Sequence, residues 1–299
     1  MSSTAATPLD EPAVLSGLVT EIEADLASRI EAVAGPAALR DALAYSVMGA
    51  GKRLRPVLTL LSCEAAGGDR NRGRAAASAI ELIHAFSLVH DDLPAMDDDA
   101  LRRGRPTLHM HAGEAMAILT GDVMMSLAFE WITDVDLDGE TSAQLVRTLA
   151  GATSCMIAGQ VYDTLGGFPP DLSKPKQLKL VHLNKTAALI RAACRLGAFC
   201  AEASPEDLAS LTSYGQSVGM MFQIVDDLLD VTATAEHIGK ATGKDVQAGK
   251  LTYAGVHGTD ASRAEVRRLR DEAHDALAPL GRAADQLLEL CDFMAVRTK

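Results

Sequence analysis

Apolar residues recur at spacings of three and four along most of the chain. The segment after Val14 places its apolar residues on one stripe, with acidic residues on the other face: Leu15, Leu18, Ile22, Leu26 and Ile30. This period is typical of an amphipathic helix. The same pattern predicts further helices over 37–49, 56–67, 74–93, 112–133, 141–163, 174–203, 205–232 and 261–294.

Breaks that contain glycine or proline separate these segments, and no segment alternates as a β-strand does. The chain shows no fixed-period repeat and no linker long enough to divide it. Residues 1–12 are small and polar, and their pattern predicts a flexible leader. We therefore predict one all-α domain over residues 13–299, with several helices too apolar to lie at the surface.

Composition narrows the class of protein. Hydrophobic residues make up 48% and charged residues 23% of the 299 residues, so the chain can bury a core. The net charge of −12 disfavours nucleic acid as a partner. No run of 18 apolar residues or targeting segment is evident, which predicts a cytoplasmic protein without stable membrane insertion. An odd set of five widely spaced cysteines predicts reduced core thiols: Cys63, Cys155, Cys194, Cys200 and Cys291.

The first candidate motif lies where an apolar helix runs into a group of acids. The segment HDDLPAMDDD contains Asp91, Asp92, Asp97, Asp98 and Asp99. On the same helix His84, Ser87 and Asp91 follow one another at spacings of three and four. Taken alone, such a group is more often a solvated helix end than a site.

The second motif changes that balance. The segment GQSVGMMFQIVDDLLDVT is nearly all apolar except for Gln223, Asp226, Asp227 and Asp230, and Asp226 and Asp230 share a helix face. Burying three carboxylates without cations is costly. The alternative is that all three carboxylates face water. We expect two Asp-rich helices to face each other across a cavity and hold Mg²⁺, which prefers oxygen ligands and substrate phosphates.

Basic loops accompany the acidic motifs and could bind phosphate. GAGKRLRP precedes the first motif, LRRGRP follows it, and GKATGKDVQAGK follows the second. Each cluster alone is more often surface than site. Two acidic motifs that are each followed by a basic, glycine-containing loop favour a site for anionic substrates.

Together these segments resemble the trans-isoprenyl diphosphate synthases, or polyprenyl synthetases. The resemblance covers about residues 40 to 255 and rests on GKRLRP, DDLPAMDDDALRRG, GQVYD, NKTAALI, FQIVDD, DDLLD and GKD–GK in that order. It implies an antiparallel all-α assembly around a deep central cavity, and a homodimer. It also implies an Mg²⁺-dependent condensation of isopentenyl diphosphate with allylic diphosphates such as dimethylallyl and geranyl diphosphate.

The resemblance also assigns roles by position. Three Mg²⁺ ions are expected with substrate bound, held by Asp91, Asp92, Asp97, Asp163, Asp226, Asp227 and Asp230. The allylic diphosphate would meet Arg102, Gln160, Lys185, Thr186, Gln223, Lys240 and Lys250. Isopentenyl diphosphate would meet Gly51, Lys52, Arg55, His84 and Arg103. The residues expected to take part directly in catalysis are Asp91, Asp92, Asp97, Arg102, Lys185, Asp226 and Lys240.

Two details of the first motif stay open. On a straight helix Asp98 would share the face of Asp91, but Pro94 interrupts the helix, and the family pattern favours Asp97. Phe86 and Ser87 lie about one turn before Asp91, where a growing hydrocarbon tail would pass. An aromatic residue at this position resembles farnesyl diphosphate synthases and predicts mainly a C15 product, with the C20 geranylgeranyl diphosphate as the alternative.

The loops depart from the family pattern at Ala100 and at Tyr253-Ala254, neither of which is an assigned site residue. Two other functions are alternatives. A class I terpene cyclase also ionises an allylic diphosphate, but it has no second diphosphate for a second basic cluster to bind. A non-catalytic synthase subunit typically lacks an acidic motif, and both motifs are present here.

Overall fold

The structure is a computed structural model that describes residues 13–49, 51–236 and 251–297. Helices account for most of it, as the apolar periodicity predicts. The longer helices are α1 (Ala13–Glu31), α2 (Ala37–Val47), α3 (Leu54–Ala65), α4 (Arg74–Asp91), α6 (Glu114–Trp131), α7 (Gly139–Leu165), α8 (Lys174–Val181), α9 (Ala188–Cys200), α10 (Pro205–Glu236), α12 (Thr259–Leu277) and α13 (Asp285–Val296). Two helices of five residues are α5 (Leu108–Ala112) and α11 (Tyr253–His257). The all-α fold class is confirmed.

Several local features differ from the sequence prediction. A small antiparallel ribbon pairs β1 (Leu101–Arg102) with β2 (Arg105–Pro106) where no strand was expected. The predicted helix 174–203 contains a π-helical turn at His182–Ala187. The predicted helix 261–294 is interrupted at Ala278–Ala284, where Gly281 has φ 58°. Elements this short carry no periodicity that a sequence pattern could show.

The described chain separates into two compact units. The amino-terminal unit comprises the described residues within 14–149 and 196–203, and the carboxy-terminal unit comprises Ala13 and the described residues within 150–195 and 204–297. The single domain over 13–299 and the flexible leader over 1–12 stay predictions, and the leader lies outside the described residues.

Helix α4 lies in the core of the amino-terminal unit. Nearly all of its side chains from Ala75 to Phe86 are buried, and it packs against α3 and α6. The α1 stripe that begins at Leu15 is buried throughout, which confirms that interpretation. In the carboxy-terminal unit α10 packs against α12 and against the π-helical turn. Tyr214 of α10 is fully buried, and its hydroxyl donates to the Leu287 carbonyl oxygen at 2.7 Å.

Four of the five cysteines are buried, and none forms a disulfide. Burial raises the pKa of Cys63 to about 11 and the pKa of Cys200 and Cys291 to about 12. These thiols therefore stay protonated and poorly nucleophilic at neutral pH.

One helical stretch of the described chain, Glu114–Asp134, is long and apolar enough to cross a membrane by length and composition. A core helix passes the same test, and 44% of this stretch is buried inside the structure.

Candidate active site

The first acidic motif begins where α4 ends. After Asp91 the chain leaves the helix and folds back, so that the Asp97 backbone N–H donates to the Asp91 carbonyl oxygen at 2.9 Å. Asp98 follows in the left-handed region at φ 50°, and its N–H donates to the Leu93 carbonyl oxygen. The turn therefore brings the backbone of Asp97 to Asp91, which favours Asp97 over Asp98 as the second carboxylate of the motif.

Asp92 differs from its neighbours because it is buried and fully engaged. The Arg102 Nε lies 2.8 and 2.9 Å from its two carboxylate oxygens, and the Arg102 Nη2 lies 2.5 Å from Oδ1. Burial lowers the pKa of Arg102, but the hydrogen bond with Asp92 and the negative charges of Asp92, Asp99 and Asp91 together outweigh it, so the pKa is raised. In this geometry Asp92 acts first as the partner that positions Arg102.

A basic pocket lies beside this motif, entirely within the amino-terminal unit. Its titratable lining residues are Arg53, Glu81, His84, Asp92, Arg102, Arg103 and Arg105. Arg53 is buried and both of its terminal nitrogens are engaged, since Nη1 donates to Glu81 Oε1 at 2.9 Å and Nη2 donates to the Val47 carbonyl oxygen at 2.8 Å. The remaining arginines give the pocket an excess of positive charge suited to a diphosphate.

Glycines make room for two of these arginines. A Cβ on Gly51 would lie 2.6 Å from Nη1 of Arg103, and one on Gly49 would lie 3.4 Å from Nη1 of Arg105. The GAGKRLRP turn therefore passes directly under the guanidinium groups of the β-ribbon. Lys52 in this turn is exposed, while Arg55 is half-buried.

His84 contributes a neutral group to the same pocket. Burial, followed by the positive charges of Arg55 and Arg103, lowers its pKa well below the ordinary value of 6.5. At neutral pH the imidazole is therefore uncharged and can both donate and accept one hydrogen bond.

A second cluster forms within the carboxy-terminal unit around the π-helical turn. Lys185 Nζ lies 2.6 Å from Asp163 Oδ2, an ion pair between the turn and α7. Thr186 donates to Gln223 Oε1 at 2.7 Å, and Gln223 Nε2 donates to Asp227 Oδ1 at 2.9 Å. The structure thus brings together five of the residues predicted from the second motif and its surroundings.

Asp227 is buried and accepts from several donors. Its Oδ2 accepts the Tyr253 backbone N–H at 2.6 Å and lies 3.4 Å from His182 Nε2. The sequence analysis missed His182 and Tyr253; the only signal was that His182 lies three residues before Lys185. With both oxygens engaged, Asp227 orders the cluster, and its role as a supporting carboxylate for metal stays a prediction.

Asp226 and Asp230 of the second motif are both half-buried. Asp226 forms an ion pair with Arg297, whose guanidinium also lies 4.3 Å from the centre of the Phe222 ring. Sequence reasoning missed this cation. On α7 the amide nitrogen and oxygen of Gln160 are buried without hydrogen-bond partners, as expected of a side chain that binds a ligand.

The carboxylates suit a divalent cation only with help from substrate. Within the described ranges no three Asp, Glu, His or Cys side chains are grouped to hold a metal ion. Mg²⁺ does not require such a group, because it binds through one or two carboxylates and completes its shell with water and phosphate oxygens. The carboxylate oxygens of Asp91 and Asp97 in the amino-terminal unit, and separately those of Asp226 in the carboxy-terminal unit, are donors of the kind that Mg²⁺ accepts alongside substrate phosphates.

The remaining predicted residues lie elsewhere. Phe86 is buried and meets His90 edge-on, with ring centroids 5.5 Å apart. The Ser87 hydroxyl donates to the His84 carbonyl oxygen at 2.9 Å. Lys240 and Lys250 lie outside the described residues.

Comparison with known proteins agrees with this picture. The sequence profile of the polyprenyl synthetase family matches residues 36–281. Geranylgeranyl pyrophosphate synthase 11, chloroplastic, from Arabidopsis thaliana is 44% identical over 271 residues, which cover 88% of this chain and 75% of the relative.

Solved structures share the whole fold. A geranyltransferase from Legionella pneumophila is 31% identical with a TM-score of 0.83, covering 94% of this chain and 95% of its own. An FPP/GFPP synthase from Zymomonas mobilis is 31% identical with a TM-score of 0.80, covering 94% and 99%. Members of the family use isopentenyl and allylic diphosphates and generally require Mg²⁺. The chain therefore belongs to the polyprenyl synthetase family and has the isoprenoid synthase fold of a trans-prenyltransferase.

Proposed function

We propose that this protein condenses isopentenyl diphosphate with allylic diphosphates and releases mainly geranylgeranyl diphosphate. The observation that carries the condensation is the basic pocket beside Asp91, where Arg102, Arg103 and the neutral His84 converge. A terpene cyclase binds one diphosphate and has no use for this pocket in addition to the Lys185 cluster. The non-catalytic subunit is disfavoured because both acidic motifs are present.

The two clusters divide the substrates between them. Isopentenyl diphosphate binds His84 and Arg103 in the pocket, together with Lys52 and Arg55 of the chain that follows Gly51. Gly51 leaves space for the Arg103 guanidinium. The allylic diphosphate binds Arg102, Gln160, Lys185, Thr186 and Gln223, together with Lys240 and Lys250. Asp163 and Asp92 hold Lys185 and Arg102 in place before substrate binds, which lowers the entropic cost of binding.

Mg²⁺ would be held by Asp91, Asp97 and Asp226, with Asp163, Asp227 and Asp230 in support, and would stabilise negative charge on the leaving diphosphate. We propose three such ions. Lys185 and Arg102 add fixed positive charge at the same leaving group, where it acts most strongly on the ionising transition state.

The chain also controls what happens after ionisation. Loss of diphosphate leaves an allylic cation, which the double bond of isopentenyl diphosphate attacks to form the new carbon–carbon bond. A proton is then lost to restore a double bond, and the departed pyrophosphate accepts it. The apolar helices that carry the two motifs exclude water, which would otherwise capture the cation.

The C20 product is supported by the Arabidopsis relative, which is named for geranylgeranyl pyrophosphate. The C15 product remains the second candidate because the buried Phe86 ring lies on α4 before Asp91, where it could limit the growing chain. For the product chain length, the name of a relative that is 44% identical is stronger support than one aromatic side chain, since aromatic residues are common in helix cores.

Product analysis tests this proposal. The enzyme is incubated with isopentenyl diphosphate and, separately, C5, C10 and C15 allylic diphosphates, and the products are identified by mass. Conversion of each to a C20 product is expected. Accumulation of a C15 product that is not extended would favour the farnesyl alternative, and a cyclised hydrocarbon would favour the cyclase. The homodimer and the cytoplasmic location stay predictions, and the named Arabidopsis relative is chloroplastic.

A further inference from the structure

Three side chains from three elements form a stack beside the basic pocket. The Tyr45 ring of α2 lies parallel to the His111 ring of α5, with centroids 3.9 Å apart and planes 5° apart. The guanidinium carbon of Arg105 lies 4.3 Å from the centre of the same Tyr45 ring. Two groups this close cannot share one face of a phenol ring. Tyr45 is therefore sandwiched between Arg105 and His111.

The stack is also tied to the β-ribbon. The Tyr45 hydroxyl donates to the carbonyl oxygen of Pro106, the residue after Arg105, at 2.8 Å. The ring thus contacts the side chain of Arg105 while its hydroxyl holds the adjoining backbone. A long arginine side chain restrained in this way loses less conformational entropy when it binds an anion.

Arg105 lines the basic pocket with Arg102, Arg103 and His84, and its Nη1 lies over Gly49. Within the part of the chain that the structure describes, no carboxylate forms an ion pair with Arg105, in contrast to Arg53 and Arg102. Its charge-assisted donors are therefore available to a phosphate group in the pocket.

We propose that Arg105 is a further phosphate-binding side chain for isopentenyl diphosphate, and that Tyr45, clamped against His111, is the positioning residue that aims it. This inference rests on the proposed function, because it assigns the ligand of the same pocket. A guanidinium presents two parallel N–H donors to phosphate oxygens, and its planar face can remain stacked on Tyr45 while it does so.

The test uses four variants of the full chain. Arg105→Gln removes the charge, Tyr45→Leu removes the ring, and Tyr45→Phe keeps the ring without the hydroxyl. Arg282→Gln is the matched control, because the Arg282 side chain is 99% exposed and lies in the other unit. Calorimetry gives the Kd for isopentenyl diphosphate, and steady-state kinetics give KM for each substrate at saturation of the other. Circular dichroism confirms that each variant is folded.

Arg105→Gln is expected to raise the Kd and the KM for isopentenyl diphosphate about tenfold while leaving the allylic KM within about twofold. Tyr45→Leu should raise the same two constants about threefold, and Tyr45→Phe should raise them less because the ring still stacks on Arg105 while the hydrogen bond to Pro106 is lost. Arg282→Gln should leave both constants unchanged. A merely structural role would lower kcat or the melting temperature without this selectivity.

Two results would overturn the inference alone. One is an Arg105→Gln variant that binds isopentenyl diphosphate as tightly as the wild type, and the other is an equal loss for both substrates. A wild-type protein that fails to bind isopentenyl diphosphate would overturn the proposed function itself, and the role of Arg105 with it.

Discussion

The α carbon of Gly159 lies against the backbone of Lys185, so closely that a Cβ on Gly159 would stand 2.2 Å from the Lys185 nitrogen. No rotamer change can relieve that contact, because the opposing atom belongs to the backbone. The approach joins α7 to the π-helical turn, the kind of helix irregularity that is frequent at functional sites. Gly159 thereby places Lys185 within reach of Asp163.

Gly159→Ala is therefore expected to displace the π-helical turn and break the Lys185–Asp163 ion pair. We expect a loss of about 2 kcal/mol or more in the free energy of unfolding and a clear fall in kcat. Urea unfolding and steady-state kinetics measure the two effects. Gly151→Ala is the matched control on the same helix, because a Cβ there meets nothing within 4 Å. If the two variants had the same free energy of unfolding and the same kcat, the close approach of Gly159 to Lys185 would not matter for stability or activity.

Asp91→Ala and Asp226→Ala should each lower turnover about a hundredfold or more while the helical content is unchanged, because these carboxylates are assigned to Mg²⁺. Asp226→Ala also breaks the ion pair with Arg297, at a cost in stability of about 1 kcal/mol. Kinetics and circular dichroism separate the two effects. Excess EDTA should abolish wild-type activity, and full activity in EDTA would contradict the assigned metal sites.

Asp97→Asn and Asp98→Asn form a pair that decides which carboxylate acts with Asp91. The hydrogen bond from the Asp97 N–H to Asp91 predicts that Asp97→Asn lowers kcat by an order of magnitude or more, whereas Asp98→Asn stays near wild type. Asp98→Gly should raise the free energy of unfolding by about 0.5 kcal/mol, since it relieves φ 50°. Reversed kinetic effects would assign the role to Asp98.

His84 predicts a specific dependence of stability on pH. Because its pKa in the folded protein is lowered well below 6.5, the unfolded chain binds a proton near pH 6.5 that the folded state excludes. This contribution to stability is complete above pH 6.5 and is lost as the pH falls toward the folded-state pKa. His84→Gln should therefore flatten the loss of stability between pH 7 and 5 in urea unfolding.

The exposed His257 offers a control for removing a histidine from the surface. His257→Gln, measured in the same way, reports what the loss of a surface histidine does by itself. An unchanged slope in His84→Gln would mean that folding does not lower the pKa of His84.

Phe86→Ala should lengthen the product beyond that of the wild type, because it opens space on α4 about one turn before Asp91. Removing a buried ring costs about 3 kcal/mol or more, so Phe86→Leu is the milder second variant and should give a smaller shift. Ser87→Ala, with little change in volume, is expected to keep the wild-type distribution. Chromatography with mass detection reports the chain lengths, and an unchanged distribution in both Phe86 variants would place the limit elsewhere.

The sequence predicted the long helices and the positions of both acidic motifs, because apolar periodicity and family motifs are local signals. It missed contacts between residues far apart in the chain, such as Arg297 with Asp226, separated by 71 positions. It also grouped Asp92 and Asp227 with the other acidic residues as metal ligands. These two differ from the others in burial and hydrogen bonding, and both properties depend on packing. The two-residue strands that carry Arg102 and Arg105 are too short to leave a pattern.

Arg53 and Arg103 hold left-handed backbone conformations at φ 48° and 53°, which cost an arginine about 1 kcal/mol each relative to glycine. A laboratory screen that selects for thermostability alone would therefore accept glycine or asparagine in place of Arg103. Such variants would bind substrate less well in the pocket, although their melting temperature would not fall. The same screen would retain Arg53, because its buried ion pair with Glu81 offsets the cost of the left-handed backbone conformation. Thermostable variants of this protein should be selected for substrate affinity at the same time.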